Sequence, residues 1–270
     1  MSKKWFSLSA LMILLVVLAS LAQTDDRSKS RSRHAPYPRF DFKEDGTSEI
    51  TPPKNEYTFA RLVYNGGWGW RYGSWTTDTP KADINLAAGI KRLTNLDVRE
   101  TPFYIPLTSK EIFKYPFLYA VEVGYLQLSQ EEADILREYL LRGGFFVVDD
   151  FHGTLEWANF EEQIRKVFPS CKIEEVPVTH PVFHCFFDIE KLFQIPGIQF
   201  LYSGNTYEKD GYVPHFRGIF DESGRLMVMI NFNSDLGDAW EWADSPYYPE
   251  RYTSTAYRLA INYIIYSMTH

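Results

Sequence analysis

The sequence has 270 residues, which is enough for one large domain or two small ones. Hydrophobic residues make up 45% and charged residues 23%, the composition of an ordinary globular protein. The net charge is −7 and no stripe of basic residues is present, so we expect no nucleic-acid binding. The high aromatic content, 17%, predicts a large buried core, and the same rings also suit stacking on sugars.

Residues 1–22 have the pattern of a secretory signal peptide. An apolar run from Leu8 to Leu18 follows two lysines, and the small residues Ser20 and Ala22 predict cleavage after Ala22. The run is short for a bilayer span, although an uncleaved N-terminal anchor is the alternative. We therefore expect an exported protein, periplasmic or extracellular, with no membrane span after cleavage.

Residues 23–54 are rich in Ser, Arg, Lys, Asp and Pro, which predicts a disordered leader. A single α/β domain is then expected over residues 55–270. Its first strand covers residues 57–64, where apolar and polar residues alternate. Thr79 and Pro80 are typical of a helix start, and an apolar stripe follows at helical spacing. The stripe consists of Ala82, Leu86, Ile90 and Leu93.

The best-defined unit lies in the middle of the chain. An apolar run at 116–121 predicts a buried strand, and Ser129 with Glu132 forms a capping box that begins a helix. Gly143 and Gly144 predict its end, and the wholly apolar run 145–148 predicts a strand covered on both faces.

The remaining elements are a helix at about 156–168, a hairpin that pairs 218–220 with 225–230, and a final helix. The apolar side of that last helix is predicted to carry Tyr257, Ile261, Ile264, Ile265 and Met268. Alternation of strands and helices predicts an α/β fold, a flavodoxin-like three-layer sandwich with a mostly parallel sheet and a late β-hairpin.

Several stretches together resemble a bacterial family called domain of unknown function 4159. The stretches are 59–64, 115–119, 143–150, 180–184 and 233–241. More remotely, the capped helix, the glycine pair and the apolar strand resemble the class I glutamine amidotransferase-like fold. His180-Pro181-Val182 is similar to a motif of its trehalose-utilisation branch. That fold places a nucleophilic Cys after the strand, where this chain has Asp149 and Asp150. The resemblance therefore implies the fold and argues against amidotransferase chemistry.

Asp149, Asp150 and His152 are the candidate catalytic residues. In open α/β sheets, ligands bind outside the carboxyl ends of the strands, where these residues lie. Two adjacent carboxylates repel each other, which raises one pKa and can leave an acid beside a base. His152 suits proton transfer or metal ligation. The structural alternative is that the aspartates cap the next helix or bond to backbone.

The loop after the hairpin is the second candidate, a ligand-binding segment with Asn233, Asp235, Asp238 and Trp240. Its oxygen-bearing side chains are typical of a loop for a hard cation such as calcium. The spacing does not fit an EF-hand, so we predict no metal site, and Asx turns or a loop that binds hydroxyl-rich ligand are the other interpretations.

Four further residues are candidate ligand contacts. Trp68 and Trp70 belong to an aromatic loop after the first strand, which suits a sugar or a hydrophobic lid. His180 and His184 are four apart, but Pro181 makes helical zinc spacing doubtful. Arg61 is a candidate ion-pair partner for the acids.

These residues favour a ligand-binding or accessory protein that acts on a carbohydrate or another polar small molecule, with no cofactor identified. The alternatives are a hydrolase on a glycan or similar polar substrate with an Asp base, and an assembly partner of a cell-envelope complex. If the second hairpin strand runs parallel to 145–148, Asp150 and Asp235 converge on one pocket. Cys171 and Cys185 form a disulfide or stay as free thiols; both outcomes are open.

Overall fold

The computed structural model describes residues 55–66 and 75–270, all of them within one structural unit, residues 44–270. The predicted signal peptide, the predicted leader 23–54 and the loop residues Trp68 and Trp70 lie outside the described residues.

The strands of the described residues are β1 (Ala60–Val63), β2 (Asn65–Gly66), β3 (Phe103–Pro106), β4 (Phe117–Val121), β5 (Leu126–Gln127), β6 (Phe145–Asp149), β7 (Glu174–Glu175), β8 (His215–Phe220) and β9 (Leu226–Phe232). A central sheet has the order β3-β1-β4-β6-β9-β8-β7, and β2 pairs with β5. The first five strands of that order are mutually parallel, β8 is antiparallel to β9, and β7 is antiparallel to β8.

The helices are α1 (Lys81–Leu93), α2 (Gln130–Leu141), α3 (Gly153–Val167), α4 (Phe200–Ser203), α5 (Leu236–Glu241) and α6 (Glu250–Thr269), with short 3₁₀ turns at Lys110–Lys114, Val123–Tyr125 and Pro181–Phe183. Helices α1, α5 and α6 pack against one another, and α2 packs against α3. The mostly parallel sheet, its flanking helices and the late hairpin confirm the predicted three-layer α/β sandwich.

Short sequence motifs explain where helix α2 begins and ends and why strand β6 follows it. The Ser129 side chain accepts from the Glu132 amide, and the Glu132 carboxylate accepts from the Ser129 amide, so α2 begins with the predicted capping box. Gly143 follows this helix with φ of 106°, a left-handed conformation that glycine adopts without strain. Strand β6 is buried along its whole length, as expected for a parallel strand covered on both faces.

Strand β9 runs parallel to β6, with Val148 opposite Ile230. The two strands therefore end at the same edge of the sheet, and the chain leaves both of them on the same side. The parallel strands follow the flavodoxin order, in which the direction of winding reverses between β1 and β4. The candidate site lies at the carboxyl edge of these parallel strands.

Some details of the helices differ from expectation. Pro80 is the N-cap of α1 and not its first residue, and Leu93 is 49% exposed because it ends the helix beyond the core. Helix α3 begins three residues earlier than predicted, since Asn233 and Asp210 accept hydrogen bonds from its first amides. Met268 is 40% exposed near the end of α6, so it does not belong to the buried face.

No helix among the described residues combines the length and the apolar character that a bilayer span requires. Cys171 and Cys185 are both free thiols, so the disulfide alternative is not realised. Cys185 contacts the backbone oxygen of Asn262 in α6, with its Sγ 3.1 Å away.

Candidate functional site

Acidic side chains from several loops meet at the carboxyl edge of the sheet. Asp78 follows β1, Asp150 follows β6, and Asp235 follows β9. One oxygen of each of these three carboxylates lies within 4.8 Å of the other two. The predicted convergence of Asp150 and Asp235 is therefore confirmed, and its cause is the parallel pairing of β6 with β9.

Two further groups adjoin this triplet and share residues with it. Asp150 also lies within 4.8 Å of His152 and Glu208, and Asp78 lies within 4.8 Å of Asp238 and Glu241. We call the whole set the edge cluster: Asp78, Asp150, His152, Glu208, Asp235, Asp238 and Glu241.

His152 is the nitrogen-bearing member of the edge cluster. Its Nε2 lies 3.1 Å from Asp150 Oδ1 and 3.8 Å from Glu208 Oε1. The side chain is 2% exposed, and its Nδ1 has no hydrogen-bond partner among the described residues. Burial lowers the pKa of His152, but the hydrogen bond and charge of Asp150 outweigh burial, and the net pKa is raised.

The three carboxylates of Asp78, Asp150 and Asp235 have no basic ion-pair partner on Lys or Arg in the described part of the chain. Lys209 pairs with Glu156. Arg61 pairs with Asp83, at 3.0 Å, and not with the edge cluster as the sequence analysis proposed. No Lys or Arg in the described ranges therefore forms an ion pair with the triplet, although the charge of Arg61 lowers the pKa of Asp78 against the larger effect of burial.

This environment raises the pKa of several carboxyl groups. For Asp235, burial is the main cause and the charges of Asp150 and Asp238 add to it, so its pKa lies well above the usual range. The pKa of Asp78 is raised well above the usual range by burial, and then by Asp238 and Asp150. Burial also raises the pKa of Glu122, which directly follows β4, and Asp150 contributes next. Such groups either hold protons or require a cation.

Asp149 has a different environment from its neighbour. It is fully buried, and its Oδ2 accepts hydrogen bonds from the Tyr119 hydroxyl at 2.8 Å and the amides of Leu236 and Gly237 at 2.8 and 3.1 Å. Burial raises its pKa to about 7. Asp149 therefore ties β6 to the start of α5, while its Oδ1 is buried without a hydrogen-bond partner among the described residues, so its catalytic role stays a prediction.

Arg61 organises the segment that carries Asp78. Its buried guanidinium donates from Nε to Asp83 and from Nη1 to the backbone oxygens of Trp75 and Thr77, at 3.3 and 3.0 Å. These bonds hold the turn immediately before Asp78. A planar, permanently charged guanidinium suits this combination of a carboxylate and two carbonyls.

The backbone is also unusual here. Asp78, Glu122, Asp150, Lys209 and Asn233 are the non-glycine residues with positive φ within the described ranges, at 51–64°. All five belong to the edge cluster or to segments that adjoin it. Non-glycine residues in this conformation persist where surrounding contacts determine it, and they concentrate at functional sites. The observation is consistent with a site at this edge.

The other residues of the predicted binding loop support the fold beside the site. Asn233 Oδ1 accepts from the Gly153 amide and its Nδ2 donates to the Val213 oxygen, so it joins two loops. Both oxygens of Asp238 accept hydrogen bonds, from the Ile198 amide and the Trp242 indole.

Trp240 does not contact an open pocket. It is buried against Phe59 and Tyr119, as part of the core beneath the edge cluster.

The structure does not bring His180 or His184 to the edge cluster. His180 caps the 3₁₀ turn and packs on Phe220 and Tyr266, near the opposite edge of the sheet. His184 contacts the backbone oxygen of Val178 at 2.7 Å. Both rings therefore have structural contacts where the sequence suggested ligand binding. Trp68 and Trp70 lie outside the described residues, so their part in a site stays a prediction.

Sequence reasoning missed Asp78, Glu122 and Glu208, whereas Glu241 lies within the predicted loop after the hairpin. Glu122 directly follows the apolar run at 116–121, so the rule that identified Asp150 also applied to it. Asp78 stands at the end of the loop after β1, before the helix start. Glu208 lies in a long segment that has little regular structure, and no local pattern marks it.

Comparison with known proteins places the chain in a family. No curated protein matches it significantly. Residues 58–268 match the family model described as Domain of unknown function (DUF4159), and this range contains every member of the edge cluster. The family resemblance that the motifs indicated is thereby confirmed. On its fold and on this match, the chain belongs to the family Domain of unknown function (DUF4159).

Proposed function

We propose that this domain binds a divalent cation between Asp78, Asp150 and Asp235, and that the cation holds an oxygen-rich polar ligand. The observation that carries the proposal is the approach of these three carboxylates to within 4.8 Å of one another. Carboxylate oxygens are the ligands that hard divalent cations prefer. This interpretation replaces our prediction from the sequence that no metal is bound.

An unpartnered oxygen of Asp78 supports a cation. Asp78 Oδ2 is inaccessible to solvent and has no hydrogen-bond partner among the described residues. Asp235 uses Oδ1 to accept from the Asp238 amide, which caps α5 and orients the side chain. A buried carboxylate oxygen without a donor is costly, and a coordinated cation removes that cost. Asp238, whose two oxygens both accept hydrogen bonds, is less suited to bind it.

The ligand follows from the coordination number. Three protein oxygens fill at most half of the six to eight positions around calcium, or half of the octahedron around magnesium. The remaining positions are available to water or to hydroxyl and phosphate oxygens of a small molecule. A carbohydrate or similar polar compound fits this chemistry. From the predicted signal peptide, residues 1–22, we also propose that the domain acts outside the cytoplasm.

Calorimetric titration of chelator-treated protein with Ca²⁺ tests the proposal. We expect saturable binding and a cation-dependent rise in melting temperature, since a ligand at about 100 times its Kd stabilises the native state by about 2.7 kcal/mol. Asp235→Asn should abolish both effects, because asparagine retains a capping oxygen but removes the charge. Asp188→Asn, at an exposed position away from the edge cluster, is the matched control. Equal Ca²⁺ binding by both variants would refute the proposal.

A hydrolase that acts on a glycan or similar polar substrate is the second candidate. It is favoured by the 3.1 Å contact between His152 Nε2 and Asp150 Oδ1, because a paired imidazole and carboxylate can move a proton. Release of reducing ends from polysaccharide by wild type, lost in Asp150→Asn, would support this function. No release by the cation-loaded wild type across a panel of polysaccharides would remove it.

A further inference from the structure

We propose that Asp150, His152 and Glu208 form a second cation site, which shares Asp150 with the first and takes a transition-metal ion such as Mn²⁺. This inference rests on the proposed function, because Asp150 would ligate both ions. The three residues offer two carboxylate oxygens and one ring nitrogen within 4.8 Å of one another. Imidazole favours transition metals over calcium, so the two sites would differ in metal preference.

His152 carries the inference. Its buried Nε2 lies 3.1 Å from Asp150 Oδ1 and 3.8 Å from Glu208 Oε1, so a cation bound to this nitrogen would have both carboxylates within reach. Coordination through Nε2 would leave the ring proton on Nδ1, which has no partner among the described residues. The ring does not cap α3 either, since no side-chain capping bond comes from this position. Its orientation is that of a metal ligand next to acidic ligands.

Glu208 supplies the accessible side of the second site. Its side chain is 29% exposed, and within the described ranges its carboxylate receives no hydrogen bond. The adjacent Lys209 turns to Glu156 instead of pairing with it. Glu208 is therefore free to coordinate an ion that enters from solvent.

The charges of the two groups also favour two ions. Together the groups hold four carboxylates and one imidazole, with Asp150 counted once. Two divalent cations would balance the four negative charges, whereas one cation would leave two of them uncompensated. A carboxylate shared by two ions is consistent with the separation of about 3.5–4 Å found in two-metal sites.

Metal stoichiometry and electron paramagnetic resonance test the inference on the full chain after chelator treatment. We expect one Ca²⁺ but two Mn²⁺ per chain, and spin coupling between the two Mn²⁺ ions. His152→Ala and Glu208→Gln should each weaken the second Mn²⁺ at least about tenfold and abolish the coupling. Glu208→Gln removes no hydrogen bond to Asp150, so in this variant Ca²⁺ affinity should stay within about twofold of wild type. Glu208→Gln alters a partly exposed side chain, so it keeps the test valid if His152→Ala does not fold.

His184→Ala, which removes a ring away from the edge cluster, is the control and should still bind two Mn²⁺. Saturation of the wild type at one Mn²⁺, or two coupled Mn²⁺ in Glu208→Gln, would overturn the second site and leave the first intact. Failure of Ca²⁺ to bind at all would instead refute the proposed function. The two failures are therefore distinguishable.

Discussion

Replacement of the buried Asp149 by asparagine should change how stability depends on pH. Burial raises the pKa of this carboxyl from 3.8 to about 7 in the native protein. Between those two pH values the native state keeps a proton that the unfolded chain releases, so raising the pH destabilises the fold. Each pKa unit corresponds to about 1.4 kcal/mol, and the full effect is therefore about 4 kcal/mol.

The Asp149→Asn side chain can still accept the hydrogen bonds of Tyr119, Leu236 and Gly237 but never ionises. At about pH 4 the protonated carboxyl of wild type and the amide of the variant are similar in shape and charge, so the two proteins should differ little. Above about pH 7 the variant should gain as much as about 4 kcal/mol relative to wild type. The free energy of unfolding is measured by urea denaturation in chelator, at several pH values from about 4 to 8.5.

Glu222→Gln, at an exposed position between β8 and β9, is the control and should follow the wild-type pH dependence. Parallel curves for wild type and Asp149→Asn across this range would refute the reasoning, since they would mean that Asp149 has the same pKa in the native and unfolded states. A loss of stability at about pH 4 that is followed by the predicted relative gain at higher pH would show that the amide nitrogen is poorly accommodated where Oδ1 has no partner, and it would leave the pKa argument intact.

Three further outcomes are expected. Arg61→Lys should lower the free energy of unfolding, measured by urea denaturation, by about 2–4 kcal/mol. An ammonium group cannot reproduce the hydrogen bonds by which the planar guanidinium joins Asp83 to two backbone oxygens. A loss below about 0.5 kcal/mol would contradict this. Thiol titration of unfolded protein without reductant should find both Cys171 and Cys185 reactive, and a lower count that reductant restores would show a disulfide. Intact-mass analysis of exported protein should show cleavage after Ala22, and retention of residues 1–22 would exclude it.

The sheet was predictable because its signals are local. The capping box at Ser129, the glycines after α2 and the apolar run of β6 each mark an element without reference to the rest of the chain. The position of Asp150 at the carboxyl edge was also predictable, because this residue directly follows the apolar strand β6. The direction of β9 relative to β6 was not readable, because a hairpin shows only that its own two strands are antiparallel.

Long-range contacts account for what was missed. Helix α3 starts at Gly153 because Asn233 and Asp210, distant in sequence, accept from its first amides. Asp149 and Asp150 are adjacent in sequence, but only the tertiary structure shows that Asp149 bonds to Tyr119 and α5 whereas Asp150 contacts His152. Glu208 reaches His152 from a segment without regular structure, so neither a periodic pattern of apolar residues nor a helix-capping motif marks it in the sequence.

The pairing of β6 with β9 has a consequence for the order of folding. Asp78 lies near the beginning of the domain and Asp235 near its end, so both stand at the same edge only after β9 has joined the sheet. A cation held by both residues would bind the finished structure and not a partly folded chain. Interactions absent from the transition state slow unfolding and leave the folding rate nearly unchanged. The cation would thus bind after the sheet has formed and would slow unfolding, so its removal would shorten the lifetime of the native state.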